Sequence, residues 1–172
     1  MDSLTPQIPA ALRQTASSSR ILLSFLVGFL ILLLPWHGMG LWFRPDLLGL
    51  LIIYWGVYEP YAVGTGTAFL LGFLMDFAES HVFGIHGLTY SLLYFLIQFY
   101  RVRILSFYRL NQMLHVWVLL AVSQWAEYLI NGILGYIWPA WPLWLFPPLT
   151  GAILWLMLPL FPDRSPRPVS PT

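Results

Sequence analysis

The chain has 172 residues, of which 59% are hydrophobic and 9% charged, with a net charge of +1. A soluble domain carries about a quarter of its residues as charges, so this composition excludes a water-covered globule and implies an integral membrane protein. The absence of cysteine excludes disulfides, iron–sulfur clusters and thiolate metal sites, and the near-neutral charge gives no sign of a nucleic-acid partner.

Residues 1–20 read as a cytoplasmic tail, with Arg13 and Arg20 ahead of the first apolar run. That run, Ile21–Trp36, has no small-x-small cleavage site after it, so it reads as a retained anchor with Pro35-Trp36-His37 at an interface. The segment 43-FRPDLL-48 follows. Pro45 fits a first helical turn, and Asp46 complements the helix N-terminus. Leu47–Tyr58 and Ala62–Asp76 are the second and third runs, separated by Glu59-Pro60, a charge and a helix breaker together. Leu88–Tyr100, Gln112–Ile137 and Leu145–Phe161 are the fourth, fifth and sixth. The tail 162–172 is rich in proline and serine and reads as disordered.

Charge fixes the expected topology. With six spans and a cytoplasmic N-terminus, every arginine except Arg44 falls inside, as the positive-inside bias requires. Trp36, Trp42, Trp138, Trp141 and Trp144 then lie near the outer headgroups, where indole rings settle. The expected fold is an all-α membrane protein with six transmembrane helices over residues 21–161 and both termini cytoplasmic. The cluster 101-RVRILSFYR-109 suits contact with anionic membrane lipid.

The stretch 63-VGTGTAFLLGFLMD-76 holds Gly64, Gly66 and Gly72 in an apolar run. Gly64, Ala68 and Gly72 are spaced i, i+4, i+8 and share one helix face. Such a ribbon lets backbones approach closely in lipid, either within the bundle itself or around a cavity or partner. Asp76 closes the run near the outer interface, and an acid at a helix C-terminus opposes the macrodipole. It therefore calls for a partner, for which Arg44 is the basic residue expected on that side; an Arg44–Asp46 pair is the alternative. In 123-SQWAEYLIN-131, Gln124, Glu127 and Asn131 are spaced i, i+3, i+7 on one face. Glu127 falls near the middle of its segment, where an ionised acid costs on the order of 2.5–3.5 kcal/mol. It must face the interior, find a donor or stay protonated.

No nucleophile elbow, phosphate loop or histidine–acid metal spacing is present in the sequence, and the four histidines are scattered at 37, 81, 86 and 115. No cofactor, metal site or catalytic residue is therefore expected. Intramembrane chemistry would fall to Asp76 and Glu127, whose expected depths differ.

The run from Phe43 to Asp76 carries a family pattern: Phe43, Arg44, Pro45 and Asp46, then Tyr54 and Trp55, Pro60, Val63, Gly64, Gly66, Gly72 and Asp76. It resembles the MreD family of rod-shape-determining membrane proteins, and 125-WAEYLIN-131 resembles the proteobacterial branch. Departures are Tyr61, where the family often has a basic residue, and Glu79-Ser80, where a small residue is common. The resemblance implies a non-enzymatic, multi-pass inner-membrane component of the elongation machinery. It implies binding to the transmembrane helix of MreC and, through it, to MreB and the elongation glycosyltransferase–transpeptidase pair, with control of peptidoglycan synthesis. It also implies a fold similar to the six-helix substrate-binding subunits of energy-coupling-factor transporters. A transport-type subunit binding a small molecule or lipid in a central pocket is the alternative, although Ser24-x-x-x-Gly28 matches their docking motif only loosely.

Overall fold

Leu47–Tyr58 is apolar on every side, and a helix of that kind belongs in the middle of a bundle. The computed structural model describes residues 17–79 and 82–158, and there this run is helix α2 (Leu47–Tyr58). Around it the chain runs up and down as α1 (Ser18–Leu32), α3 (Thr65–Glu79), α4 (Ile85–Ser106), α5 (Arg109–Ile133) and α6 (Pro142–Met157), with a 3₁₀ segment Gly38–Phe43 before α2. Helix α2 packs against α1, α4, α5 and α6. Leu48, Ile52, Ile53 and Val57 are fully buried, which takes most of the helix off the surface. The hairpins α3–α4 and α5–α6 complete the bundle.

The expected elements are all present, with shifted ends. α1 stops at Leu32, ahead of Pro35, where a run to Trp36 was expected. α2 has the expected bounds because Asp46 caps it and Glu59-Pro60 ends it. Pro45 lies just before this cap, outside the first turn. α4 continues through Arg101 and Arg103 to Ser106, and α5 begins at Arg109 and ends at Ile133. The tails 1–16 and 159–172, Ser80 and His81 lie outside the described residues, as does the expected end of the last span at Phe161.

The two ends of the bundle differ in charge. At one end, Arg101 Nε donates to Val57 O at 2.8 Å, and Tyr94 OH donates to Pro60 O at 3.2 Å, so the C-terminal half of α4 closes over the α2–α3 turn. The other end joins α1 to α2, α3 to α4 and α5 to α6. It carries Arg44, Asp46, Asp76, Glu79, His86 and Glu127. Among the described residues, α5 is the one helix long and apolar enough to cross a membrane by length and composition; α1 and α6 are apolar but shorter. Large apolar side chains cover the outside: Leu22 and Leu26 on α1, Leu70 on α3, Phe99 on α4 and Leu114 on α5 are all exposed.

The glycine ribbon divides between two settings. Ala68 and Gly72 are buried on α3, and α3 packs on α4. A Cβ on Gly72 would run into the backbone of His86 and Gly87, whereas Gly64 and Gly66 have open space where a Cβ would go. The close approach therefore rests on Gly72. Gly72→Ala should force the helices apart and cost about 1–3 kcal/mol, while Gly64→Ala should leave the melting temperature of the purified chain unchanged. Equal melting of the two variants would contradict this account of the α3–α4 packing.

Candidate functional site

Asp76 sits three residues before the end of α3, where its charge opposes that helix's own dipole. The chain resolves this by giving the carboxylate to the next helix. α4 begins at a glycine, Gly84, with φ of 97° and no side-chain cap. The left-handed conformation is one that glycine adopts without strain. Asp76 supplies the missing cap: Oδ2 accepts from Gly84 N at 2.7 Å and Oδ1 from His86 N at 2.9 Å. These are orphan amides of a helix N-terminus, where a negative charge is favoured. Oδ1 also meets His86 Nδ1 at 2.8 Å. Asp76 is fully buried, and the His86 side chain it holds is 8% exposed.

The other face of the His86 ring looks into a cavity of about 180 Å³. Its Nε2 lies 3.6 Å from Glu127 Oε2 and 3.8 Å from Glu79 Oε2. Glu79 is paired with Arg44 Nη2 at 2.9 Å, and the same nitrogen donates to Leu32 O at 3.0 Å at the end of α1. Arg44 Nε is buried without an acceptor among the described residues. Asp46 accepts from Gly49 N at 2.8 Å as the cap of α2 and from Tyr90 OH at 2.7 Å, joining α2 to α4. Four acids, one histidine and one arginine from four segments of the chain thus share one end of the bundle.

The remaining wall comes from α5 and α6, and two prolines shape it. Pro147 and Pro148 lie inside α6 and have no N–H, so the carbonyls of Leu143 and Trp144, four residues earlier, lose their helical donors. Side chains of α5 replace them. Gln124 Nε2 and Tyr128 OH donate to Leu143 O at 3.1 and 3.2 Å, and Trp125 Nε1 donates to Trp144 O at 3.2 Å. The polar residues of α5 are thereby matched to the breaks in α6.

Several residues singled out from sequence meet here and others do not. Arg44, Asp46, Gln124 and Glu127 line the cavity, and Asp76 stands behind it through His86. Arg44 pairs with Glu79 rather than with Asp76 or Asp46; both oxygens of Asp76 are taken by α4, and Asp46 Oδ1 is taken by its own helix and Tyr90. Asp76 and Glu127, expected at different depths, flank the same imidazole; α5 ends at Ile133, so Glu127 lies near its end rather than mid-segment. Asn131 lies one turn beyond and does not line the cavity. Trp55 and Tyr54 are elsewhere: Trp55 Nε1 donates to Ser24 Oγ at 2.9 Å, linking α2 to α1, and Tyr54 packs on Trp55, Tyr58 and Trp155. His86, Tyr90 and Glu79 were not singled out; the signal for His86 was its place between Gly84 and Gly87, directly after the run that ends on Asp76. No group of three histidine, aspartate or glutamate side chains among the described residues is placed to hold a metal ion.

These features define an all-helical bundle, apolar over its outside and charged around a cavity at one end. A family model described as rod shape-determining protein MreD matches residues 14–161. A rod shape-determining protein MreD of Haemophilus influenzae is 34% identical over 71 residues, which are 41% of this chain and 44% of that relative. The match thus spans under half of the relative's length. No solved structure matches the chain. The chain belongs to the MreD family of rod shape-determining proteins.

Two expected outcomes follow from the geometry. Removing the carboxylate in Asp76→Ala strands two amides and one ring nitrogen, each worth about 1–3 kcal/mol when buried without a partner. Thermal melting should drop sharply in Asp76→Ala and less in Asp76→Asn, which keeps an acceptor; parent-like melting of both would contradict the capping role. Gln124→Leu should cost about 1 kcal/mol in the parent and less in a Pro147→Ala background, where Leu143 O regains a backbone donor. Strict additivity of the two changes would show that the carbonyl does not couple them.

Proposed function

We propose that the chain is a multi-pass, non-enzymatic component of the bacterial cytoplasmic (inner) membrane that binds the transmembrane helix of MreC. Through MreC it acts on MreB and the elongation glycosyltransferase–transpeptidase pair, regulating peptidoglycan synthesis and rod shape. The family match over residues 14–161 carries this reading. Its orientation follows from charge: Arg101, Arg103 and Arg109 gather with the α2–α3 turn at one end, which the positive-inside bias assigns to the cytoplasm together with both termini. The charged cavity then faces the outer side. The exposed apolar side chains of α1, α3, α4 and α5 suit contact with lipid.

A groove of about 370 Å³ between α1, α2 and α6 is the surface we assign to MreC. Leu23, Val27, Ile31, Leu50 and Leu154 line it, and Gly28 lets Leu51 of α2 pack closely on α1 at its floor. Small residues of this kind let helices approach closely in lipid. The fold in this reading is that of the six-helix substrate-binding subunits of energy-coupling-factor transporters. The cavity itself favours a second reading, a transport-type subunit that binds a small molecule or lipid.

Site-specific photocrosslinking along α1, α2 and α3 with MreC co-expressed tests the first reading. Crosslinks should peak at Leu23, Val27 and Ile31 and fall off on the opposite faces; absence of any crosslink to MreC would overturn it. Depletion of the protein should abolish rod shape, whereas rescue by an added nutrient with shape intact would favour the transport reading.

A further inference from the structure

His86 is more than nine-tenths buried, yet one of its ring nitrogens has no hydrogen bond. Asp76 accepts two backbone N–H bonds as well as the ring contact, which makes it an acceptor throughout. Nδ1 therefore carries a proton, and Nε2 faces the cavity, nearest to Glu127 and Glu79. Glu127 Oε2 stands 3.6 Å from that nitrogen, beyond the range of about 3.2 Å for a hydrogen bond. Glu127 takes no hydrogen bond from any described residue, and its carboxylate lines the same cavity. One turn earlier, Gln124 spends its amide hydrogens on Tyr128 and Leu143, which leaves its side-chain oxygen open. Asp46 and the Arg44-paired Glu79 add negative charge to the lining.

A cavity with this lining selects its occupant by chemistry. The lining holds three acids, Asp46, Glu79 and Glu127, against Arg44 and His86, so it is negative in sum: an anion is repelled, and a neutral molecule supplies no balancing charge. A metal ion lacks three ligands in position among the described residues. The lining instead offers acceptors and negative charge, which an ammonium with three N–H donors satisfies. At about 180 Å³ the space is smaller than the roughly 300–1,000 Å³ of drug-sized pockets, so the group is small. We propose that the cavity binds a primary ammonium group seated on Glu127, carried either by a free small amine or by the aminoethyl headgroup of a phospholipid. The proposal concerns the cavity alone, so MreC crosslinking can succeed or fail independently of it.

The test uses the purified full chain. In detergent, methylammonium and ethanolamine chloride should each raise Tm saturably, by about 5 °C at a hundredfold excess over Kd. Tetramethylammonium chloride at equal ionic strength, which has the charge but no N–H, should not. Glu127→Gln keeps the shape of the side chain and should abolish the response. In nanodiscs, a phosphatidylethanolamine source predicts a higher Tm than in phosphatidylcholine, with no further gain from free ethanolamine. A free amine source predicts a gain from ethanolamine in both lipids. An equal effect of tetramethylammonium, an unchanged response in Glu127→Gln, no response to any amine, or stabilisation by zinc chloride alone would overturn the proposal. Should Glu127→Gln fail to fold, the primary-against-quaternary comparison on the parent chain decides.

Discussion

The carboxylate of Asp76 is a fully buried charge on a helix end that repels it, and the rest of the site depends on how that is resolved. An isolated buried carboxylate is costly. Here it is placed where α4 has amides without partners, so one group satisfies two demands. The same contact orients His86, and His86 sets the position against which Glu79 and Glu127 are arrayed. Gly72 makes this possible, because any side chain there would push the backbone of His86 away from α3.

The opposite wall is governed by backbone satisfaction rather than charge. Two prolines in α6 release two carbonyls, and α5 returns donors to both. This explains why Gln124 and Trp125 stand on the face of α5 that meets α6. It also sets Glu127 apart from Gln124 and Trp125, since no described residue donates a hydrogen bond to its carboxylate.

Much of the helical plan was legible in the sequence, and the reasons are local. α2 could be bounded to the residue because Asp46 starts it and Glu59-Pro60 stops it. The end of α1 was misplaced because Leu33 and Leu34 are as apolar as the helix, although the backbone leaves it before Pro35. The candidate site was half legible. Arg44, Asp46, Asp76, Gln124 and Glu127 stand out because each is a polar residue in an apolar run. Periodicity within one helix says nothing about a residue brought across a turn, however, so His86 and Tyr90 did not. The partner of Arg44 was equally hidden: choosing Glu79 over Asp76 requires knowing that Asp76 is already saturated by α4.

Amide hydrogen exchange at Gly84 and His86 in the purified full chain measures the central contact directly. The account predicts that both amides are strongly protected in the parent and exchange freely in Asp76→Ala, while the amides of α2 are little affected. Rapid exchange of Gly84 and His86 in the parent, or protection that survives the loss of the carboxylate, would contradict it.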